Sequence, residues 1–436
     1  MANILPFRAI RYSTSLRKKA SKLLAPPYDV ISREQKKELL KNDPANAIRL
    51  IVGNPSVETH RASDYAAAAN TLKTWRGKGV LDRDDQPSLY VYQQRFKVEG
   101  RLYLRTGFLA LSRLEPFGRS KGGILAHEFT LAGPKADRLN LMKKANANFS
   151  PIFSLYPDQG GVGKILARVT AERPEMVARF PKDVENRLWA IRDPQTLAAI
   201  QERMQSVTLF IADGHHRYET ALAYQALKRK GDKSPLGSRP YDWVMMMFVA
   251  MEDPGLVILP THRCLAPGRI TDPTAFLESL ARLGKLSVAP GNLRTLKPMK
   301  ALEAAGRKSP TLGVSFDGQT LYLLSVSKAA AAGKALAGLS KAQKGLDVTL
   351  LHRLILEPSL GITKERVEHE IFFTHKAAEA VKRLNRGESG VVFFLNPTRI
   401  DQLRDVAGAG ERMPQKSTYF YPKLVTGMAF NDLTGF

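Results

Sequence analysis

At 436 residues the chain is longer than one ordinary hydrophobic core supports, so two or three domains are expected. Its 44% apolar and 25% charged residues fit a folded globular protein and exclude a disordered one, and no apolar run reaches the length of a membrane span. The balance of 66 Lys and Arg against 41 Asp and Glu, net +25, favours a polyanionic partner or a generally basic surface, while the lone Cys264 excludes a disulfide framework and a cysteine-rich zinc site. The start, MANILPFRAI, lacks the basic-then-apolar order of a signal peptide, and a cytoplasmic location is expected.

In chain order, Ile4–Tyr12 reads as a strand, and Ala25-Pro26-Pro27-Tyr28-Asp29-Val30 as a turn whose prolines fix the direction of Tyr28 and Asp29. Ser32 has the spacing of a helix cap before a short helix over Gln35–Lys41, and Asn46–Val52 reads as a strand. A helix over Ala62–Lys78 places Tyr65, Ala69, Leu72 and Trp75 on one side. Pro87–Leu114 reads as two strands around Val98-Glu99-Gly100-Arg101. Gly122-Gly123 leads to a loop carrying His127, Glu128 and Thr130, and a helix to about Asn146 carries Arg138. A strand to Tyr156, a helix over Lys164–Phe180, a strand at Arg187–Ile191 and a helix over Pro194–Gln205 follow.

The central stretch is Val207–Gly231. An apolar, β-branched run to Ala212 reads as a buried strand, and Tyr218–Lys230 as a helix with an apolar face. Asp213, Gly214, His215, His216 and Arg217 occupy the junction. A strand-to-helix junction presents helix amides to an anion, Gly214 permits a tight turn, and Arg217 supplies a fork for phosphate or carboxylate. The plain structural reading makes Asp213 an N-cap and the histidines satisfied turn residues, but a cap alone does not require two imidazoles and a guanidinium.

Beyond it, Tyr241–Ala250 reads as a second buried strand, with its methionine run as core, and Pro260-Thr261-His262-Arg263 lies at a strand end. Ala266-Pro267-Gly268 marks the expected boundary between a domain of residues 1–265 and one of 266–436. In the latter, helices are expected over Pro273–Leu283, Leu346–Leu356, His375–Arg386 and Ile400–Gly408, with strands at Lys285–Val288, Gly313–Val326 and Val391–Leu395. Lys328–Lys344 is alanine-rich and basic, and is expected to pack loosely. The alternation of helices and strands implies an α/β or α+β fold, with mixed sheets covered by helices.

The pieces PF-R, APPYDV, HEFT, ADR, IADGHHRYETA, LPTHR and MPQKSTYFYPKLVTG occur in order from Pro6 to Gly427. In this the chain resembles the bacterial and archaeal family called domain of unknown function 1015, whose name supplies no activity. More distantly, the strand, Gly-His-His-Arg loop and helix resemble the phosphate-binding turn of the ParB and sulfiredoxin superfamily, which includes nucleotide-dependent free-serine kinases.

That resemblance implies a nucleotide-dependent kinase acting on serine or a related metabolite, with ATP or ADP as donor and Mg²⁺ as cofactor. Gly214, His215, His216 and Arg217 would hold phosphates, and Asp213 would place Mg²⁺ or the nucleophile. Glu128 would be the general base with His127 beside it, and Arg138, Arg263, Lys416 and Lys423 would neutralise phosphate or carboxylate. Two other readings stay open. One is a metal-dependent hydrolase or phosphatase using His127, Glu128, Asp213, His215, His216 and His262, although no pair has diagnostic ligand spacing. The other is a non-enzymatic regulator binding nucleotide or nucleic acid. Neither a membrane partner nor haem, flavin or an iron–sulfur cluster is expected.

Overall fold

The computed structural model describes residues 3–118, 123–130, 132–205, 207–364 and 366–436; Gly122 of the glycine pair lies outside them. The fold is α+β, with mixed sheets covered by helices, and among the described residues no helix is long and apolar enough to cross a membrane. The chain gathers into two compact units. The first comprises Met1–Ala126, Thr130–Val257 and Pro422–Phe436, and the second His127–Phe129 and Ile258–Tyr421. The Ala266-Pro267-Gly268 turn follows the strand His262–Leu265, within the second unit.

The first unit is built on a nine-stranded mixed sheet. Its main path runs Ile124–Leu125, Leu209–Asp213, Ile152–Tyr156, Trp243–Ala250, Arg101–Arg113, Leu89–Val98, Glu185–Ile191 and Met176–Arg179, while Ile4–Leu5 pairs with Arg101–Arg113. Leu209–Asp213 pairs parallel with Ile124–Leu125 and antiparallel with Ile152–Tyr156. Trp243–Ala250 is buried almost throughout because neighbours flank it on both sides, and this accounts for its unbroken apolar sequence. Helices Val162–Thr170, Pro194–Met204 and His215–Arg229 send Leu166, Ile200, Met204, Tyr218 and Ala221 into a core with Phe108, Trp189 and Phe248. A second core joins Tyr65, Leu72 and Trp75 of helix Ala62–Gly77 to Tyr12, Ile48 and Phe430.

Two local readings are corrected here. Asn46–Val52 is not a strand, because Ile48–Ile51 is helical. The Asn46 side chain accepts from the Ile48 amide at 2.9 Å and donates to the carbonyls of Lys22 and Leu24, turning the backbone. The helix expected over Lys164–Phe180 ends at Thr170, and Met176–Arg179 forms an edge strand against Glu185–Ile191.

The second unit holds a six-stranded antiparallel sheet in the order Gly284–Val288, Tyr322–Val326, Thr311–Ser315, Val391–Phe394, His262–Leu265 and Ile371–Thr374. Leu302 of helix Lys297–Gly306 and Val381 and Leu384 of helix Ala377–Asn385 pack with Leu323, Val392 and Phe394 to form its core. Lys328–Lys344 contains the short helices Lys328–Ala332 and Lys341–Lys344, and Leu336 between them is fully buried.

Candidate functional site

The expected site residues fall into two groups, one in each unit. Asp213–Arg217, Arg138 and Lys423 belong to the first, whereas His127, Glu128, Arg263 and Lys416 belong to the second.

In the first unit the strand ends at Asp213 and the helix begins at His215, one turn earlier than the apolar periodicity implied. Gly214 joins them at φ +93°, a left-handed conformation that glycine adopts without a Cβ penalty. A Cβ there would meet the Arg217 guanidinium carbon at 2.9 Å, so the absence of a side chain is what lets Arg217 fold back over the turn. Arg217 donates through Nη2 to Asp213 Oδ2 at 3.0 Å and through Nη1 to the Pro151 carbonyl. The N-cap of helix His215–Arg229 is Gly214, which has no side chain to cap it, and the partial positive charge of the helix N-terminus lies at the turn.

The other oxygen of Asp213 is taken by Lys423, whose Nζ lies 2.7 Å from Oδ1. That lysine is placed from below. Gln94 donates to the Lys423 carbonyl at 3.3 Å, and Arg105, buried in strand Arg101–Arg113, donates to Gln94 and to the Pro422 carbonyl. Burial pulls the Arg105 guanidinium down to about 10. Burial alone would push the Asp213 carboxyl up, but the charges of Lys423, Arg217 and His215 hold it well below the usual carboxylate range.

Tyr28, from the double-proline turn, is buried beside this group. The Arg138 guanidinium lies 4.2 Å from its ring centroid, and Tyr28, Arg138, Arg217 and Thr220 line a narrow cleft of about 50 Å³. Arg138 itself is anchored: its Nε donates to Asp137 at 2.7 Å and its Nη1 to the Ile51 carbonyl at 2.8 Å. His60 and Tyr65 also hydrogen-bond Asp137, each at 2.7 Å. Against the effect of burial, these partners hold Asp137 at about 2.

In the second unit His127 is fully buried, with Nε2 3.0 Å from Thr418 Oγ1. Thr418 also donates to Glu128 Oε1 at 3.4 Å, and the Met413 amide donates to the His127 carbonyl at 2.7 Å. His127 and Glu128 therefore meet Met413 and Thr418 side by side. Arg263 lies inside strand His262–Leu265, all of it buried, rather than at a strand end. Its Nη1 donates to the Thr261 carbonyl and its Nη2 to the Lys416 carbonyl at 3.1 Å. It is thus the Lys416 carbonyl that meets Arg263, and the Lys416 side chain is exposed. Burial draws Arg263 down to about 9, with the charge of Glu128 acting in the opposite direction. His262 is drawn down to about 3 by burial and by the charges of Arg263 and His375, and its Nδ1 accepts from the Leu395 amide at 3.3 Å.

The expected metal ligands do not gather: among the described residues no three His, Cys, Asp or Glu side chains are placed to hold a metal ion. Asp213 in particular has a cation on each oxygen and does not fit a Mg²⁺ ligand. Sequence reading passed over Arg105, the His60–Asp137–Tyr65 network, and His352 in the second unit, which burial draws down to about 3. The signal for His352 was a lone imidazole inside the apolar run Leu346–Leu356.

A search of the curated proteins matched none of them. Among solved structures, a conserved hypothetical protein from Pyrococcus furiosus aligns over 71% of this chain and 93% of its own, at 13% identity and a TM-score of 0.34. A free serine kinase in complex with AMP aligns over 71% of this chain and 88% of its own, at 13% identity and a TM-score of 0.33. SbnI with a C-terminal truncation, from Staphylococcus aureus, aligns over 74% and 87% at 11% identity and a TM-score of 0.34. The sequence profile of one family matches residues 4–367, and the chain accordingly belongs to the family described as protein of unknown function (DUF1015).

Proposed function

We propose that the first unit binds the phosphates of a nucleotide at the Asp213–Arg217 turn, and that the protein transfers a phosphoryl group to a small hydroxylated metabolite, serine or a relative of it. One observation carries the reading. A helix start with no side-chain cap, opened by a left-handed glycine, lies beside two cations, Arg217 and Lys423, that share a single carboxylate. Two cations gathered on one carboxylate at a helix start suit an anion, and the helix N-terminus adds to this. Phosphoryl transfer needs charge neutralisation and positioning more than covalent work from the protein, which suits such a group. Asp213, engaged on both oxygens by cations, would not hold a metal in this reading. The absence of a three-ligand cluster among the described residues disfavours the hydrolase reading.

The test is a thermal-shift series of the full chain with ATP, ADP, CTP and GTP, with and without Mg²⁺ and L-serine. A nucleotide-specific rise that R217A removes, while the ligand-free R217A chain still unfolds cooperatively, is the expected result. A flat response to every nucleotide, or one that R217A leaves unchanged, refutes the reading.

A further inference from the structure

A cavity of about 580 Å³ opens in the second unit between the end of strand Val391–Phe394 and helices Lys341–Lys344 and Ile400–Gly408. Its size is that of an ordinary small-molecule pocket. Five cations line it, and they are not equivalent. Arg307 and Arg399 are paired, with Glu303 and Asp401. Lys308, Lys341 and the buried Arg263 have no carboxylate within ion-pair distance among the described residues. Burying a guanidinium without a counter-charge is costly, and Arg263 offsets that cost in part with two backbone carbonyls and with the ring of Phe373, whose centroid lies 5.4 Å from its guanidinium carbon. Its Nε and the Thr261 hydroxyl, both in the wall, have no hydrogen-bond partner among the described residues. Of the acids lining the cavity, Asp401 and Asp405 are engaged by arginines, and Asp347 accepts from Asn396 Nδ2 at 2.9 Å. Burial raises Asp347 to about 6, so at neutral pH it still carries most of a negative charge, and the cavity keeps more cations than acids.

We propose that this cavity binds a small polyanion, phosphorylated or polycarboxylic, with Arg263 at its base and Lys308 and Lys341 at its mouth. A planar guanidinium binds carboxylate and phosphate equally well in two-pronged fashion, so the shared chemistry is that of multiple anionic oxygens on one compact molecule. The site stands apart from the nucleotide reading, since every residue in it belongs to the second unit.

The experiment is calorimetric titration of pyrophosphate and of citrate into the full-length R217A chain, so that anion bound at the Asp213–Arg217 turn does not enter. The R217A chain is expected to bind one or both anions one-to-one, and addition of K308E and K341E is expected to weaken binding by about tenfold or more. Both lysines are exposed, so the fold should survive their reversal. R263Q is expected to abolish binding, and if that variant fails to fold the lysine pair decides. No binding of either anion at about 1 mM, or binding that the lysine reversals leave unchanged, overturns the proposal. Which anion binds distinguishes a phosphorylated from a carboxylic ligand. Loss of the nucleotide reading would show separately, as an ATP response indifferent to R217A.

Discussion

Lys423 Nζ lies 2.7 Å from Asp213 Oδ1, although 210 residues separate the two in the chain. Arg217, four residues after Asp213, takes the other oxygen at 3.0 Å. The three side chains are largely shielded from water, with exposures of 12–16%. The carboxylate therefore has two jobs: it ends the strand on a charge that both cations share, and it gathers those cations at a helix start.

Removing the carboxylate should cost more than removing either cation. D213N leaves Lys423 and Arg217 shielded beside each other without the carboxylate they share, and a loss of about 3 kcal/mol in unfolding free energy is expected. K423M keeps the Arg217–Asp213 pair and should lose markedly less. Urea unfolding of the two variants checks this, and equal stability of D213N and wild type would show that the triad is not a stabilising unit.

The two ends of this triad differed in how far sequence could reveal them. The types of residue at 213–217 and the strand before them were readable, since an apolar β-branched run and a glycine are local signals. The hairpin of Leu89–Val98 and Arg101–Arg113 and the helix Ala62–Gly77 were readable for the same reason. The pairing with Lys423 was not, because it depends on Arg105 and Gln94 holding the Pro422–Lys423 backbone, a relation between distant strands that leaves no periodic trace. Arg263 was legible as a cation but not as a buried one. Asn46 misled because an apolar run such as Ile48–Val52 suits strand or helix equally, and a side-chain hydrogen bond decided between them.

Substitution G214A should injure both stability and the proposed ligand response. The residue sits at φ +93°, and the added methyl would meet the Arg217 guanidinium at 2.9 Å. A non-glycine residue held in that region costs about 1–3 kcal/mol, and displacement of Arg217 loosens its bond to Asp213. A lowered melting temperature together with loss of any nucleotide-induced rise is expected. A G214A chain that keeps both would show that Arg217 does not need the space above the glycine.

Acid sensitivity should come from two opposing sets of buried groups in the second unit. His262 and His352 are each drawn down to about 3 by burial, against about 6.5 in an unfolded chain, so between those values the unfolded state binds more protons and stability rises with pH. Asp347, raised to about 6 by burial against about 3.9 unfolded, acts the other way, because the native state holds its proton longer and stability falls as pH rises through that window. Two histidines outweigh one aspartate, so the stability of the second unit should climb from about pH 4 to about pH 6.5. D347N removes the opposing slope and should steepen the climb, whereas H352Q removes one of the driving groups and should flatten it. Chemical unfolding of the three chains at half-unit pH steps separates these effects. A D347N profile parallel to wild type would mean that Asp347 ionises in the native state as it does in the unfolded one.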